Sequence, residues 1–223
     1  MNRELTKRIF TSILLAAIVL GCLFINNYFW LLLLIIVSLI CWLEFINISK
    51  KIWRKYTPKI VAGFLSFCFL FIFIYSAYQL KTQGLGSEIK IIFILLVCIL
   101  SDIGGYVVGK TIGGRKLTKI SPNKTVSGSI GSFIFSLFPI GVFFALTKII
   151  QEDLFQFINY DYLILFCLVL SLTGQLGDLI ISYFKRLAKV KDTGNILPGH
   201  GGMLDRIDGI IFVIPVAFIF NFV

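Results

Sequence analysis

The amino-acid sequence predicts an all-α, polytopic membrane protein with about seven transmembrane helices. Of its 223 residues, 58% are hydrophobic and only 14% are charged, whereas a soluble domain has about 25% charged residues. Apolar runs of the length that crosses a bilayer as a helix, roughly 20 residues, follow one another along the chain. They occupy residues 9–25, 28–46, 60–79, 91–109, 129–148, 162–182 and 207–223.

The first three runs predict an N-terminal membrane region at residues 1–90. The first run follows Arg3, Lys7 and Arg8 and is not closed by a small-residue cleavage site. It therefore predicts a retained helix rather than a removed signal peptide. The other four runs and two polar loops form the predicted functional membrane region, residues 91–223. The five cysteines all lie within apolar runs and predict no metal or redox role.

Basic residues predict the orientation of these helices. Of the 21 Lys and Arg residues, 18 lie in the N-terminal tail and in loops 47–59, 110–128 and 183–206. Short cytoplasmic loops are enriched in Lys and Arg, so seven spans place the N-terminus in the cytoplasm and the C-terminus outside. The net charge of +10 therefore indicates topology and anionic headgroups rather than nucleic-acid binding.

The carboxylates of Asp102 and Asp178 fall inside predicted spans. A carboxylate in the hydrocarbon region is costly and needs a partner or a wet cavity. Either residue could instead form a structural ion pair or hydrogen bond that orients helices. Gly174 and Gly177 precede Asp178 and favour the close approach of another helix. At helical spacing, Asp102 shares a face with Gly105, Tyr106 and Gly109, and Asp178 shares one with Ser182, Lys185 and Arg186.

The segment between the last two spans, residues 191–208, combines charged residues with glycine. It holds the single histidine, His200, and a run of Gly and Pro that predicts tight turns whose backbone can approach a ligand. Asp205 and Asp208 follow at a spacing of three where the last helix begins, so they are predicted to face the same way. Helix capping explains one such aspartate but not two beside Asp178.

A second polar loop precedes span 129–148. It reads Lys119-Ile-Ser-Pro-Asn-Lys-Thr-Val-Ser-Gly128. Hydroxyl groups, a lysine and free backbone N–H groups at a helix start would suit a phosphate. Capping of the helix by the same hydroxyl groups is an equal alternative, and the glycine-lysine motif of a P-loop is not present.

Together these groups predict metal-assisted phosphoryl or nucleotidyl transfer. Hard carboxylate oxygens suit Mg²⁺, which usually also binds substrate phosphates, and clustered Lys and Arg suit phosphate oxygens. No Ser–His or Cys–His arrangement indicates a protein nucleophile. In such chemistry the protein positions phosphates and neutralises developing charge.

Three segments of the chain form a recognisable pattern. They are Asp102-x-Gly-x-Tyr106-x-x-Gly109, Ser121-Pro-Asn-Lys-Thr-x-x-Gly128, and Ser182-x-x-Lys185-Arg186-x4-Lys191-Asp192-x-Gly194-x-x-Leu197-Pro198-x-His200-Gly201-Gly202-x-x-Asp205-Arg206-x-Asp208. This pattern resembles the phosphatidate cytidylyltransferases, also called CDP-diacylglycerol synthases, and the resemblance covers roughly residues 95–223. The chain departs from the family at Ser127, where Glu is usual, and at Ile103 and Gly105, where Thr and Ala are usual.

The resemblance implies a reaction of phospholipid biosynthesis, in which CTP and phosphatidate give CDP-diacylglycerol and pyrophosphate with Mg²⁺. It implies that Asp178, Asp205 and Asp208 bind the metal. It gives catalytic roles to these three aspartates, Lys185 and Arg186, and substrate-binding roles to Asp102, Ser121, Asn123, Lys124, Thr125, Ser182, Lys191, Asp192, His200, Gly201, Gly202 and Arg206. It implies a multi-pass protein of the bacterial cell (inner) membrane with its site on the cytoplasmic side. A second cation and a homodimer stay open.

Two other functions remain as alternatives. A polyprenol kinase would also bring CTP to a lipid, but the full run from Lys191 to Asp208 argues against it. A membrane transporter would place carboxylates near mid-bilayer in broken helices, often with internal repeats. Here the carboxylates are predicted at the cytoplasmic ends of the helices, and no internal repeat is evident.

Overall fold

The computed structural model of the chain describes residues 3–84, 86–118, 120–122, 124–150, 160–199 and 201–220. These residues form nine α-helices and no strand, which confirms the all-α prediction. The helices are α1 (Arg3–Ile25), α2 (Asn27–Ile52), α3 (Tyr56–Thr82), α4 (Ser87–Thr111), α5 (Val126–Ser136), α6 (Phe138–Ile150), α7 (Tyr160–Leu187), α8 (Leu204–Ile207) and α9 (Ile210–Ile219).

The predicted spans coincide with these helices. Within the described residues, six segments are long and apolar enough to cross a membrane, namely α1 to α4, α5 and α6 together, and α7. The shorter apolar helix α9 corresponds to the predicted seventh span. Large side chains such as Phe10, Leu65 and Phe71 are exposed on the outside of the bundle, as suits helices surrounded by lipid tails.

Three details of the predicted spans differ from the structure. Helix α7 continues to Leu187, past the predicted end of its span at residue 182. Asp178 therefore lies inside the helix rather than at its end, about 14 Å from the last residue at 1.5 Å per residue. The fifth span is divided at Leu137, and Pro139 lies in the first turn of α6, where proline is tolerated. The last span is interrupted at Asp208, between α8 and α9.

Helices α4 and α5 pack backbone against backbone. A Cβ atom on Gly104 would lie 2.6 Å from the carbonyl oxygen of Gly131, and one on Gly128 would lie 2.7 Å from that of Gly105. Only glycine permits this distance, which is typical of small-residue contacts between membrane helices. The contact places the start of α5 beside Asp102 of α4.

Helices α7 and α9 also meet at glycines, as predicted for Gly174 and Gly177. A Cβ on Gly177 would lie 2.6 Å from the ring of Phe212 and 2.8 Å from the carbonyl oxygen of Asp208. A Cβ on Gly209 would lie 3.2 Å from the carbonyl oxygen of Gly174. This close approach carries Asp208 to the face of α7 on which Asp178 lies.

The N-terminal helices are joined to this arrangement by aromatic side chains. The indole N–H of Trp42 in α2 donates to the carbonyl oxygen of Gly63 in α3 at 2.9 Å. The rings of Phe69 in α3 and Phe212 in α9 have centroids 4.8 Å apart, and Phe45 in α2 contacts Phe184 in α7. Helices α2 and α3 thus pack directly against α7 and α9, which flank the polar segment of residues 191–208.

Candidate active site

A cavity of about 500 Å³ lies between α4, α5, α7 and the segment that leads into α9. Residues from α4 and from both polar loops share this cavity, so segments distant in the sequence form one site. It is lined by ten of the predicted site residues, Asp102, Ser121, Lys124, Thr125, Asp178, Lys185, Asp192, Asp205, Arg206 and Asp208.

Asp178 contacts charged and polar groups from two other segments. Nζ of Lys124 forms an ion pair with its Oδ2, and the hydroxyl of Ser182 donates to its Oδ1 at 3.2 Å. The carboxyl group of Asp208 lies within hydrogen-bonding reach. Two carboxyl groups at this distance repel each other when both are ionised. The pair therefore favours a cation beside it, and Lys124 is one.

Asp205 is held differently, because two backbone N–H groups as well as a lysine donate to its oxygens. Nζ of Lys185 donates to Oδ1 at 2.8 Å. Oδ2 accepts from the N–H of Thr193 at 2.7 Å and from the N–H of Gly202 at 3.1 Å, and the Thr193 hydroxyl oxygen lies 3.0 Å from it. Burial raises the pKa of the Asp205 carboxyl, but these donors, Lys185 foremost, outweigh burial and hold its pKa below the usual value.

The loop before α5 provides both a helix cap and cavity residues. The Thr125 hydroxyl accepts from the N–H of Gly128 at 3.0 Å, so the capping alternative is confirmed for this residue. The loop is closed by a backbone hydrogen bond from Lys124 to Ser121, at 3.1 Å. Ser127, at the position where the resemblance expects Glu, donates to the carbonyl oxygen of Gly113 and so ties the start of α5 to the end of α4.

Other predicted site residues lie around the cavity rather than in its wall. Ser182 is buried and orients Asp178. Gly202 donates to Asp205, and Gly201 has a positive φ of 84°, which favours glycine. Arg186 and Lys191 are exposed and are not among the residues that line the cavity, so their roles stay predictions. Asn123 and His200 lie outside the described residues.

The structure adds residues to which the sequence analysis gave no role. Gln175 and Ser129 line the cavity and are hydrogen-bonded to each other across α7 and α5. Thr193 contacts Asp205, as described above. Glu44 of α2, only 3% exposed, contacts the loop that holds Asp205. It was detectable from the sequence, because a carboxylate inside an apolar run needs an explanation wherever it occurs.

The three aspartates predicted to bind metal are not equivalent in the structure. Within the described residues, no group of three or more His, Cys, Asp and Glu side chains is placed to hold a metal ion. Asp178 and Asp208 do fit a divalent cation, because their oxygens adjoin one another in a cavity open to a phosphate. Mg²⁺ is commonly bound by one or two carboxylates together with substrate phosphates and water. Asp205 fits less well, since Lys185 and the N–H groups of Thr193 and Gly202 already engage its oxygens.

Comparison with known proteins gives concordant matches. A phosphatidate cytidylyltransferase of Bacillus subtilis is 42% identical over 157 residues, which are 69% of this chain and 55% of that protein. One of Staphylococcus saprophyticus is 42% identical over 143 residues, and one of Staphylococcus haemolyticus is 44% identical over 140. Each covers 62% of this chain and 50% of the relative. The chain spans about half the length of the curated relatives it matches.

The family match covers every residue that lines the cavity. Residues 60–223 match the cytidylyltransferase family, a stretch that runs from α3 to the last residue. It contains both polar loops, Asp102 and all three aspartates discussed above. This match over most of the sequence shows that the chain belongs to the cytidylyltransferase family.

Proposed function

We propose that the protein is a phosphatidate cytidylyltransferase, which converts CTP and phosphatidate into CDP-diacylglycerol and pyrophosphate. The observation that carries the proposal is the shared cavity, in which Asp178 and Asp208 lie with Lys124 of the loop before α5 and Lys185 of α7. The names of the relatives support the same substrates. The cavity also adjoins apolar helices, so a lipid phosphate can reach it from the bilayer.

The reaction needs no covalent intermediate with the protein. An ionised oxygen of the phosphatidate phosphate forms a bond to the α-phosphorus of CTP. The bond from that phosphorus to the α–β bridging oxygen breaks, and pyrophosphate leaves with the bonding electrons. Because the attacking oxygen is already ionised, positioning and charge stabilisation supply the catalysis.

Lys124 and Lys185 are the residues we assign to the phosphates. Each ammonium has three donors and uses one of them for its aspartate, Asp178 or Asp205. The remaining donors can bind phosphate oxygens while the carboxylate keeps the lysine in place. Charge-assisted hydrogen bonds of this kind are stronger than neutral ones, so the two lysines can hold the nucleotide and the lipid phosphate in fixed positions.

We assign metal binding to Asp178 and Asp208. When bound, Mg²⁺ would supply positive charge to the α-phosphate and to the departing pyrophosphate. The two carboxyl groups would hold it together with substrate oxygens, and Ser182 orients Asp178 for this role. We place the site on the cytoplasmic side of a bacterial cell membrane, where CTP is available and where the basic loops predict it.

Position-specific labels on CTP test the proposal and separate it from a kinase. Purified protein in detergent should transfer label from [α-³²P]CTP to phosphatidate, and label from [γ-³²P]CTP should appear only in pyrophosphate. A kinase would move the γ-label into lipid. Label transfer from the γ position, or no transfer from either position, would overturn the proposal.

The metal assignment has its own test. Asp208→Asn should shift the Mg²⁺ concentration for half-maximal rate upwards at least tenfold, because one of the two assigned ligands loses its charge. Asp205→Asn should leave the Mg²⁺ dependence of the remaining activity unchanged. An equal shift of this Mg²⁺ concentration in both variants would show that Asp205 also binds the metal. No shift in either variant would show that the metal does not bind in this cavity.

A further inference from the structure

We propose that Glu44 of α2 is a positioning residue for this site, which holds the loop of Asp205 from a helix outside the family match. The expected effect on the reaction rate rests on the proposed function, whereas the contacts of Glu44 are observed in the structure. Glu44 precedes the matched residues 60–223 and lies within the long apolar helix Asn27–Ile52. Its side chain is turned inward, at 3% exposure, so its carboxylate requires partners inside the protein.

Those partners come from both ends of one loop. Oε1 of Glu44 accepts the N–H of Met203 at 3.0 Å, and Oε2 accepts the N–H of Leu204 at 2.9 Å. Oε2 also accepts from the hydroxyl of Thr193 at 2.9 Å. A single carboxylate therefore holds together the two ends of the loop, near residues 193 and 204. Glu44 and these loop ends are about 150 residues apart in the sequence.

The loop is shaped to admit this carboxylate. A Cβ atom on Gly194 would lie 2.5 Å from Oε1 of Glu44. One on Gly202 would lie 2.1 Å from the Thr193 hydroxyl oxygen and 2.6 Å from Oε2 of Glu44. A larger residue at Gly194 would displace Glu44, and one at Gly202 would displace both Glu44 and Thr193. Two glycines of the third resembling segment thus provide space for Glu44 and, at Gly202, for the Thr193 hydroxyl beside it.

Thr193 links Glu44 to the site. Its hydroxyl lies 2.9 Å from Oε2 of Glu44 and 3.0 Å from Oδ2 of Asp205. Its N–H donates to the same Asp205 oxygen at 2.7 Å, and Asp205 in turn binds Lys185. Movement of the loop away from Glu44 would therefore move Asp205 and Lys185, which line the cavity. Small displacements of positioning groups are expected to lower the rate strongly.

The test compares Glu44→Gln with Ser38→Ala in the purified full-length protein. Glutamine keeps one acceptor but presents an amide N–H₂ to the backbone donors. Ser38 lies in the same helix and is buried, and its hydroxyl has no hydrogen-bond partner in the described part of the chain, so it is a matched control. We expect Glu44→Gln to speed hydrogen exchange at Met203 and Leu204 at least tenfold, with exchange in α7 unchanged, and Ser38→Ala to alter neither.

Kinetics then separate a positioning role from a purely structural one. Glu44→Gln should lower kcat/KM for CTP at least tenfold and leave the KM for phosphatidate near that of the unaltered protein. Thr193→Val should lower kcat/KM in the same direction, and Thr193→Ser should restore it. Unchanged hydrogen exchange at Met203 and Leu204 in Glu44→Gln would show that Glu44 does not hold these N–H groups. Fast exchange with unchanged kinetics would overturn the positioning role.

A second variant keeps the test decisive if Glu44→Gln does not fold. In that case the Thr193 pair alone decides, since valine and threonine have nearly the same shape, and equal kcat/KM in both Thr193 variants would overturn the inference. Failure of the proposed function would be recognised separately, because the unaltered protein would then transfer no cytidylyl group. The exchange measurement would still show whether Glu44 holds the loop.

Discussion

Replacement of Asp205 with asparagine should reduce the stability of the protein more than it changes its metal requirement. Asparagine keeps one carbonyl oxygen, which can still accept the N–H groups of Thr193 and Gly202. The amide nitrogen of the asparagine then takes the place of Oδ1 of Asp205, which lies 2.8 Å from Nζ of Lys185. The ion pair is lost, and the side chain of Lys185, only 14% exposed, is left without its carboxylate.

The magnitude follows from these contacts. Loss of a charge-assisted hydrogen bond costs about 1.5–3 kcal/mol, and removal of one partner from a buried ion pair costs about 3–5 kcal/mol. Because Lys185 lines a cavity that water can enter, we expect the lower part of the second range, about 3 kcal/mol in the free energy of unfolding. For a chain of this size that is a fall of roughly 6–12 °C in the unfolding midpoint.

Cysteines give a direct assay of this effect. Cys41, Cys98 and Cys167 are buried, so a thiol-reactive fluorescent dye reports unfolding of the protein in detergent. A double-mutant cycle with Lys185→Met isolates the pair, and the double variant should lose at least ~1 kcal/mol less than the sum of the two single variants. The reasoning would be refuted by additive losses, or by an Asp205→Asn variant as stable as the unaltered protein.

Three further predictions concern substrate binding, packing and orientation. Lys124→Gln should raise the KM for CTP at least tenfold in steady-state assays, through a lost phosphate contact, and an unchanged KM would remove Lys124 from the phosphate site. Gly131→Ala should lower the unfolding midpoint, because its Cβ would lie 2.5 Å from that of Val108, whereas Gly141→Ala has open space; equal midpoints would contradict the packing argument. In intact cells, an impermeant thiol reagent should label Gln83→Cys but not Lys55→Cys, and the reverse pattern would invert the proposed topology.

The helices could be predicted from the sequence because bilayer thickness fixes the length of an apolar run. Their ends and interruptions could not, because hydropathy reports the environment of a helix rather than its hydrogen bonds. Helix α7 continues to Leu187 although its last turns carry Lys185 and Arg186, since these turns leave the apolar layer without leaving the helix. The division near Leu137 had only Pro139 as a signal.

The sequence also predicts many of the residues that line the cavity, but not the groups that each of them contacts. The spacing of Asp205 and Asp208 indicates a common direction, and both do line the cavity. Spacing does not show that Thr193 and Lys185 engage the oxygens of Asp205 while Asp208 adjoins Asp178. Such contacts join segments far apart in the chain, so they become visible only when the helices are packed.

The charges of the cavity favour the binding of a cation together with the nucleotide. The described residues that line it include five aspartates and three basic side chains, an excess of two negative charges when all are ionised. A triphosphate adds further negative charge, which the lysines offset only in part because each is already paired with an aspartate. A divalent cation held by Asp178 and Asp208, as proposed above, would lower this repulsion. We therefore expect phosphate binding in this cavity to depend on a divalent cation, with Asp178 both holding Lys124 and contributing to the assigned metal site.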